Sequence, residues 1–151
     1  MNEFGSHSGL GLLHGSCILI VDDDPGILDL YSAALLREGA IVMTAAGPEE
    51  AWETILASKD RLTAIIVDIV LQNANGMDLA TRIRVSGLAC PVIAISSLNW
   101  ETVKGVCAKA GCSGFVHKRD WMSTLIKTVS DVIRLQRPDR AADPTSSDET
   151  E

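Results

Sequence analysis

The sequence predicts an α/β fold in which five helices cover both faces of a doubly wound parallel sheet of five strands. Short apolar runs alternate with longer amphipathic segments, and each run is apolar at successive positions rather than at every second one. Strands that are apolar on both faces belong in parallel sheets covered by helices on both sides. Right-handed crossovers between such strands then give the doubly wound arrangement.

The composition fits one ordinary domain. The chain has 151 residues, of which 46% are hydrophobic and 22% charged, and its net charge is -7. We expect no direct nucleic-acid binding, because phosphate contacts need clustered lysine and arginine. We also expect no membrane insertion, because no apolar run approaches the ~20 residues that cross a bilayer. The four cysteines form no CxxC pair, which favours free thiols in a reducing cytosol and a cytoplasmic protein.

The two ends differ in composition from the middle of the chain. Residues 1–15 contain Gly, Ser and His without periodicity, and we expect a disordered leader left by cloning. Residues 16–136 contain the alternating segments and form the predicted domain. Residues 137–151 are rich in Pro, Ser, Thr and acids, and too poor in apolar residues to offset the entropy of ordering. We expect a disordered acidic tail or linker there.

The predicted elements follow in order. The first strand at 17–21 leads into a helix with apolar residues at helical spacing, which Gly39 ends. The second strand at 40–44 leads into a helix that Pro48 opens. Three more pairs follow, with strands at 64–67, 91–95 and 114–117 and helices at 76–85, 98–110 and about 121–135. Asp24 before Pro25 is expected to cap the first helix, and Ser96 or Ser97 the fourth.

Polar side chains follow four of the predicted strands. Because the carboxyl ends of parallel strands meet at one edge of the sheet, we expect these side chains to lie close together. Crowded carboxylates repel one another unless a cation joins them, and Mg2+ prefers oxygen ligands. An aspartate there could attack a phosphoryl group while a hydroxyl and an ammonium group stabilise its charge. The side chains are Asp22 and Asp23 after the first strand, Asp68 after the third, Ser96 after the fourth and Lys118 after the fifth.

These motifs resemble the receiver domain of two-component response regulators. The resemblance covers Ser16 to Leu135, through ILIVDDDP, AIIVD, NGMD, PVIAIS and GFVHK. It implies a flavodoxin-like fold with strand order 2-1-3-4-5, as in chemotaxis regulators. It further implies that Asp68 is the phosphoacceptor, with Ser96 and Lys118 as catalytic partners and Ser96 and Phe115 as switch residues. The implied Mg2+ ligands are Asp22, Asp23, Asp68 and the backbone carbonyl of Val70.

The resemblance also implies partners. A histidine kinase or a histidine phosphotransfer protein would donate the phosphoryl group, and a downstream effector would bind the face formed by helix 4, strand 5 and helix 5. Trp100 and Trp121 would be interface residues or packed side chains, and a homodimer stays open. The chain would catalyse its own phosphorylation and slow dephosphorylation while acting mainly as a switch. Two alternatives are a phosphorelay intermediate that passes the group to a His, and a receiver-like binding module that takes no phosphate.

A third alternative belongs to another class of protein. Metal-dependent phosphatases of the dehalogenase type also use an aspartate nucleophile after a strand, but they need a second Asp two residues later as acid and base. Val70 occupies that position. The sequence therefore disfavours this class.

The sequence departs from the usual receiver pattern at four positions. Gln72 stands where the family usually has Pro, and Arg119 follows Lys118 where the family usually has a cis proline. A cis bond before another residue costs ~3 kcal/mol, so we expect a trans bond and a shifted loop. Val70 and Leu98 place apolar side chains where an attacking water would be oriented. We therefore expect the phosphoryl group to be hydrolysed in minutes to hours.

Overall fold

The computed structural model describes residues 10–136. The predicted tail at 137–151 and the first nine residues of the predicted leader lie outside the described residues. Ten main elements alternate along the chain as predicted, with ends that differ from prediction by one or two residues. They are β1 (Cys17–Val21), α1 (Pro25–Arg37), β2 (Ile41–Ala45), α2 (Pro48–Ser58), β3 (Ala64–Asp68), α3 (Gly76–Val85), β4 (Val92–Ser96), α4 (Trp100–Ala110), β5 (Gly114–His117) and α5 (Met122–Leu135).

The five strands form one parallel sheet in the order β2-β1-β3-β4-β5. The predicted fold class and strand order are therefore confirmed. Every residue of β1, β3 and β4 is buried, whereas β2 lies at an edge and is largely accessible. Since β1 and β3 are neighbours, with Val21 opposite Val67, the residues that follow these strands lie side by side.

Alternate strand residues supply two apolar cores, one on each face of the sheet. Ile18, Ile20 and Ile66 pack with α1 and α5, whereas Leu19 and Val67 pack with α2, α3 and α4. Fully burying one such side chain contributes roughly 1.5–3 kcal/mol. The strands are thus held from both sides, and the positions of their carboxyl ends are fixed. Within residues 10–136, no helix has the length and apolar character needed to span a membrane.

A short antiparallel hairpin between β3 and α3 was not predicted. Val70–Leu71 pairs with Ala74–Asn75, and Gln72 and Asn73 form its two-residue turn. Asn73 has φ 64, the only positive φ of a non-glycine residue between 10 and 136, so φ of Gln72 is negative. This pattern fits a type II turn, which requires a positive φ at its second central residue and accepts Asn there. We call residues 70–75 the hairpin.

Short polar side chains cap α1, α3 and α4, whereas α2 and α5 begin without a side-chain cap. Asp24 caps α1 as predicted, since its carboxylate accepts a hydrogen bond of 2.9 Å from the N–H of Gly26. The prediction that Ser96 or Ser97 caps α4 is wrong, because Asn99 is the cap and α4 begins at Trp100. Asn75 caps α3 and so ends the hairpin and begins the helix.

Residues 10–15 differ from the expected disordered leader. Leu13 is buried in the core formed with α1 and α5, and its N–H donates to the carbonyl of Glu38 at 2.9 Å. Gly11 lies so close to the backbone of Glu38 that a Cβ would overlap with it. One buried leucine in a glycine-rich stretch leaves no periodicity in the sequence, so pattern analysis could not detect this packing.

Candidate functional site

Three acidic side chains meet where β1 and β3 end. Asp22 follows β1 and is 0% exposed, Asp68 ends β3 and is 3% exposed, and Asp23 is half-buried. One carboxylate oxygen of each lies within 4.8 Å of the other two. Among residues 10–136 this is the one such group of three His, Cys, Asp or Glu side chains.

Lys118 contacts two of these acids. Its Nζ donates to Asp68 Oδ2 at 2.8 Å and lies 2.9 Å from Asp22 Oδ2. The end of β5 positions this lysine, because the Lys118 N–H donates to the carbonyl of Ser96 at 2.8 Å. The structure thus brings Asp22, Asp68, Ser96 and Lys118 to one edge of the sheet.

Hydrogen bonds to His117 hold the loop after Lys118, where the sequence has no proline. The structure has no cis peptide bond between residues 10 and 136, so the Lys118–Arg119 bond is trans as predicted. The Arg119 N–H, which a proline would lack, donates to Nδ1 of His117 at 3.0 Å. Asp120 Oδ2 accepts from the N–H of His117 at 3.0 Å. His117 therefore has a local structural role, in line with its interpretation as a strand-end residue.

Burial and charge perturb the two central groups. Burial raises the pKa of Asp68, and the charge of Asp22 adds to this rise, whereas the hydrogen bonds from Lys118 and Val70 oppose it. Burial acts to lower the pKa of Lys118, but the hydrogen bonds and charges of Asp68 and Asp22 outweigh burial and raise that pKa. The ionised cluster has three negative charges against one positive charge, which leaves a surplus that a cation could balance.

The acidic cluster fits a metal ion. Asp22 Oδ2 is buried and lies 2.9 Å from the ammonium group of Lys118, which it shares with Asp68 Oδ2. One ammonium group balances only one of the three carboxylates, and buried charge that is not compensated is costly. The ligands are all oxygens, which suits a hard divalent cation. Val70, the predicted carbonyl ligand, begins the hairpin, and its N–H donates to Asp68 Oδ1 at 3.0 Å.

The predicted switch residues lie on the neighbouring strands. Ser96 ends β4 and is fully buried, and its Oγ accepts from the N–H of Leu98 at 2.9 Å. Phe115 is half-buried in β5, opposite Ala94 in the sheet. Its ring packs on Trp100, with ring centroids 5.3 Å apart. Ser96 therefore lies at the site, whereas Phe115 lies toward α4.

Two backbone features of the site were missed by the sequence analysis. The Gln72 N–H donates to Asp23 Oδ2 at 2.7 Å. The Gly76 N–H donates to the carbonyl of Ile69 at 2.8 Å, and a Cβ on Gly76 would overlap with the backbone of Asp68. The signal for the first was Gln72 itself, because a residue other than proline provides an amide hydrogen.

The sheet order and the cluster of acids with a lysine define a class of protein, the receiver domains of response regulators. The family profile described as "Response regulator receiver domain" matches residues 18–130. The chain belongs to this family.

Similar curated proteins include regulators that are much longer. The chain is 27% identical over 139 residues to "DNA-binding transcriptional regulator NtrC" of Azospirillum brasilense, covering 91% of this chain and 28% of that protein. It is 30% identical over 103 residues to an uncharacterized 14.6 kDa protein of Leptolyngbya boryana, covering 67% and 77% of the two chains. The chain thus spans about a quarter of the NtrC relative.

Solved receiver domains share the fold. A CheY-like receiver domain from Methanospirillum hungatei matches with a TM-score of 0.74 and 23% identity, over 82% of this chain and 98% of that one. CheY4 of Vibrio cholerae matches with a TM-score of 0.70 and 28% identity, over 78% and 98% of the two chains.

Proposed function

We propose that the chain accepts a phosphoryl group on Asp68 in a Mg2+-dependent reaction. The donor would be a histidine kinase or a histidine phosphotransfer protein. The observation that supports this most directly is the position of Asp68, which is buried beside two further acids and in contact with Lys118. A carboxylate in this setting lies next to a cation site and a fixed positive charge, as phosphoryl transfer requires.

The proposed metal ligands are the carboxylates of Asp22, Asp23 and Asp68 and the backbone carbonyl of Val70. Bound Mg2+ would neutralise part of the charge on the phosphoryl oxygens. The surplus negative charge of the cluster, three carboxylates against the one ammonium group of Lys118, supports this assignment. Mg2+ commonly takes one or two carboxylates and keeps further positions for water or phosphate.

In the proposed reaction, a carboxylate oxygen of Asp68 forms a bond to phosphorus as the bond from phosphorus to the donor breaks. The electron pair of the broken bond leaves with the donor group, and an aspartyl phosphate results. Lys118 lies 2.8 Å from Asp68, close enough to turn its ammonium group to the new phosphoryl oxygens. The Ser96 hydroxyl accepts a hydrogen bond from Leu98, so its own hydrogen is free to donate to the same oxygens.

The proposed output is a change of protein contacts on the face formed by α4, β5 and α5. Donation by Ser96 would draw β4 toward the phosphoryl group and favour a state in which Phe115 moves inward. Trp100 is exposed and packs on Phe115, and a cavity of about 540 Å³ lies beside this pair between α4 and β5. A downstream effector would bind here. A cytoplasmic location is also proposed, and the four free cysteines support it.

Intact mass spectrometry tests the proposal. The chain is incubated with acetyl phosphate and Mg2+, alongside Asp68→Asn and a sample without Mg2+. We expect the wild type with Mg2+ to gain one phosphoryl group (~80 Da), and neither of the other samples to do so. If the wild type gained no mass, the phosphate-free binding module would replace this proposal.

A second step separates the switch from a phosphorelay intermediate. The phosphorylated chain is mixed with a purified histidine phosphotransfer protein, and the label on each protein is followed. A switch fed by a kinase keeps the group on Asp68, whereas rapid transfer to the histidine would identify a relay intermediate.

A further inference from the structure

The hairpin is attached to two of the three acids by backbone amides. The Val70 N–H donates to Asp68 Oδ1 at 3.0 Å, and the Gln72 N–H donates to Asp23 Oδ2 at 2.7 Å. Val70 begins the first strand of the hairpin and Gln72 begins its turn, and the N–H groups of both point to the acidic cluster. Asp23 comes from the β1–α1 loop, and Gln72 lies 49 residues further along the chain.

The base of the hairpin is fixed independently of its tip. The Gly76 N–H donates to the carbonyl of Ile69, and Gly76 packs directly on the backbone of Asp68. The tip carries the Gln72–Asp23 hydrogen bond, and both of its partners are accessible to solvent. Asp23 is therefore the acid whose orientation depends most on a single contact, since Asp22 and Asp68 are buried in the sheet edge.

We propose that the backbone N–H of Gln72 is a positioning group that holds the Asp23 carboxylate in the orientation needed to bind the metal ion. This inference rests on the proposed function of the acidic cluster. A carboxylate has about four acceptor positions, so one amide hydrogen bond leaves Asp23 free to bind a cation or its water ligands as well. The same hydrogen bond couples the tip of the hairpin to the metal, so cation binding restricts the movement of residues 70–75.

Gln72→Pro removes this hydrogen without disturbing the turn. Gln72 is the first central residue of the turn and has a negative φ, which is the position that proline favours in type II turns. Leu71 precedes it in an extended strand, the conformation that a following proline requires. Gln72→Ala is the matched control, because it removes the side chain but keeps the N–H.

The first measurement is Mg2+ affinity by isothermal titration calorimetry, with folding of each variant checked by circular dichroism. We expect Gln72→Pro to bind Mg2+ about three- to tenfold more weakly than wild type, and Gln72→Ala to bind within about twofold of it. Equal affinity of Gln72→Pro and Gln72→Ala, or tighter binding by Gln72→Pro, would overturn the inference. No Mg2+ binding by the wild type would overturn both the proposed function and the metal role of Gln72.

The second measurement needs no metal. Amide hydrogen exchange is followed by NMR in the metal-free wild type and in Asp23→Ala. We expect the Gln72 amide to exchange slowly in the wild type and several times faster in Asp23→Ala, while core amides of β3 are unchanged. Equally fast exchange of the Gln72 amide in both proteins would overturn the positioning contact, whatever the wild type does with Mg2+.

Discussion

Without metal, the folded protein disfavours the ionised form of Asp68. Burial and the charge of Asp22 raise its pKa above the unfolded value. Because its pKa is higher in the folded state, protonated Asp68 contributes to stability. This contribution is complete below the unfolded pKa of about 3.9 and is lost as the pH rises through the folded pKa. Without metal, we therefore expect Asp68→Asn to increase the free energy of unfolding at pH 7, and the increase to fade toward pH 4.

Urea denaturation at several pH values without Mg2+ measures this effect. Asp29→Asn, at an exposed position in α1, is the control and should change little at either pH. A lower stability of Asp68→Asn at pH 7 would mean that the contact with Lys118 outweighs the cost of burial.

Val70 and Leu98 should determine how long the phosphoryl group lasts. Val70 is 58% exposed and follows Asp68, the proposed acceptor, by two residues. Leu98 is 44% exposed and follows Ser96 by two residues. Neither side chain can orient an attacking water by a hydrogen bond. We expect the wild-type phosphoryl group to last minutes to hours, and Val70→Asn to speed its loss by roughly tenfold. This is below the roughly 10²–10⁴-fold of a positioned general acid or base, because an amide orients the water without taking its proton.

The decay is followed by intact mass after removal of the phosphodonor. Val85→Asn, at an exposed apolar position on α3 away from the rim, is the matched control and should decay like the wild type. A wild-type half-life of a few seconds would contradict the prediction.

At the scale of elements, the junction between the hairpin and α3 depends on one glycine. A Cβ at Gly76 would overlap with the backbone of Asp68, so Gly76→Ala must displace either α3 or the end of β3. We expect a loss of roughly 2–4 kcal/mol in the free energy of unfolding, together with weaker phosphorylation of Asp68. Denaturant titration and the mass assay measure the two effects.

Gly105 provides the control for this substitution. It lies in the middle of α4 with no atom within 4 Å of the position that a Cβ would take. Because glycine is a poor helix former, Gly105→Ala should stabilise the protein by about 0.5–1 kcal/mol. If Gly76→Ala also left the free energy of unfolding unchanged or increased it, the close approach of Gly76 to Asp68 would not constrain the residue at position 76.

The same elements explain which features the sequence could predict. Buried strands such as Ala64–Asp68 and helices with several apolar turns leave a periodic pattern, so their order and the side chains at their ends were predicted. The strands of the hairpin have two residues each, which is too short for a periodic pattern to repeat. The cap of α4 was assigned to the wrong residue because Ser96, Ser97 and Asn99 are all good caps, and backbone geometry selects among them.

In the site as well, the sequence predicted the positions of side chains but not the contacts of the backbone. Residue type and place in the chain predicted that Asp22, Asp68 and Lys118 would lie close together, and the structure places them in contact. Lys118 reaches the acids although Arg119 follows it, and Nδ1 of His117 accepts the amide hydrogen that a proline would lack. The Gln72 amide and the packing of Gly76 depend on backbone direction, which residue type does not encode.

At the scale of the whole molecule, the two cores place the acids before any metal binds. A cation that binds only the folded state should therefore stabilise the entire domain. At a Mg2+ concentration tenfold above its Kd, we expect the free energy of unfolding to rise by about 1.4 kcal/mol and Tm to rise by roughly 2–6 °C.

Asp22→Asn and Asp24→Asn test whether this stabilisation acts through the acidic cluster. Asp22 is buried in the cluster, whereas Asp24 is exposed and caps α1, a role that Asn performs equally well. Thermal unfolding with and without Mg2+ should show the full rise in Tm for Asp24→Asn and little or none for Asp22→Asn. An equal rise in both variants would place the cation elsewhere on this acidic chain, and the phosphoryl-transfer site would then lose its proposed metal.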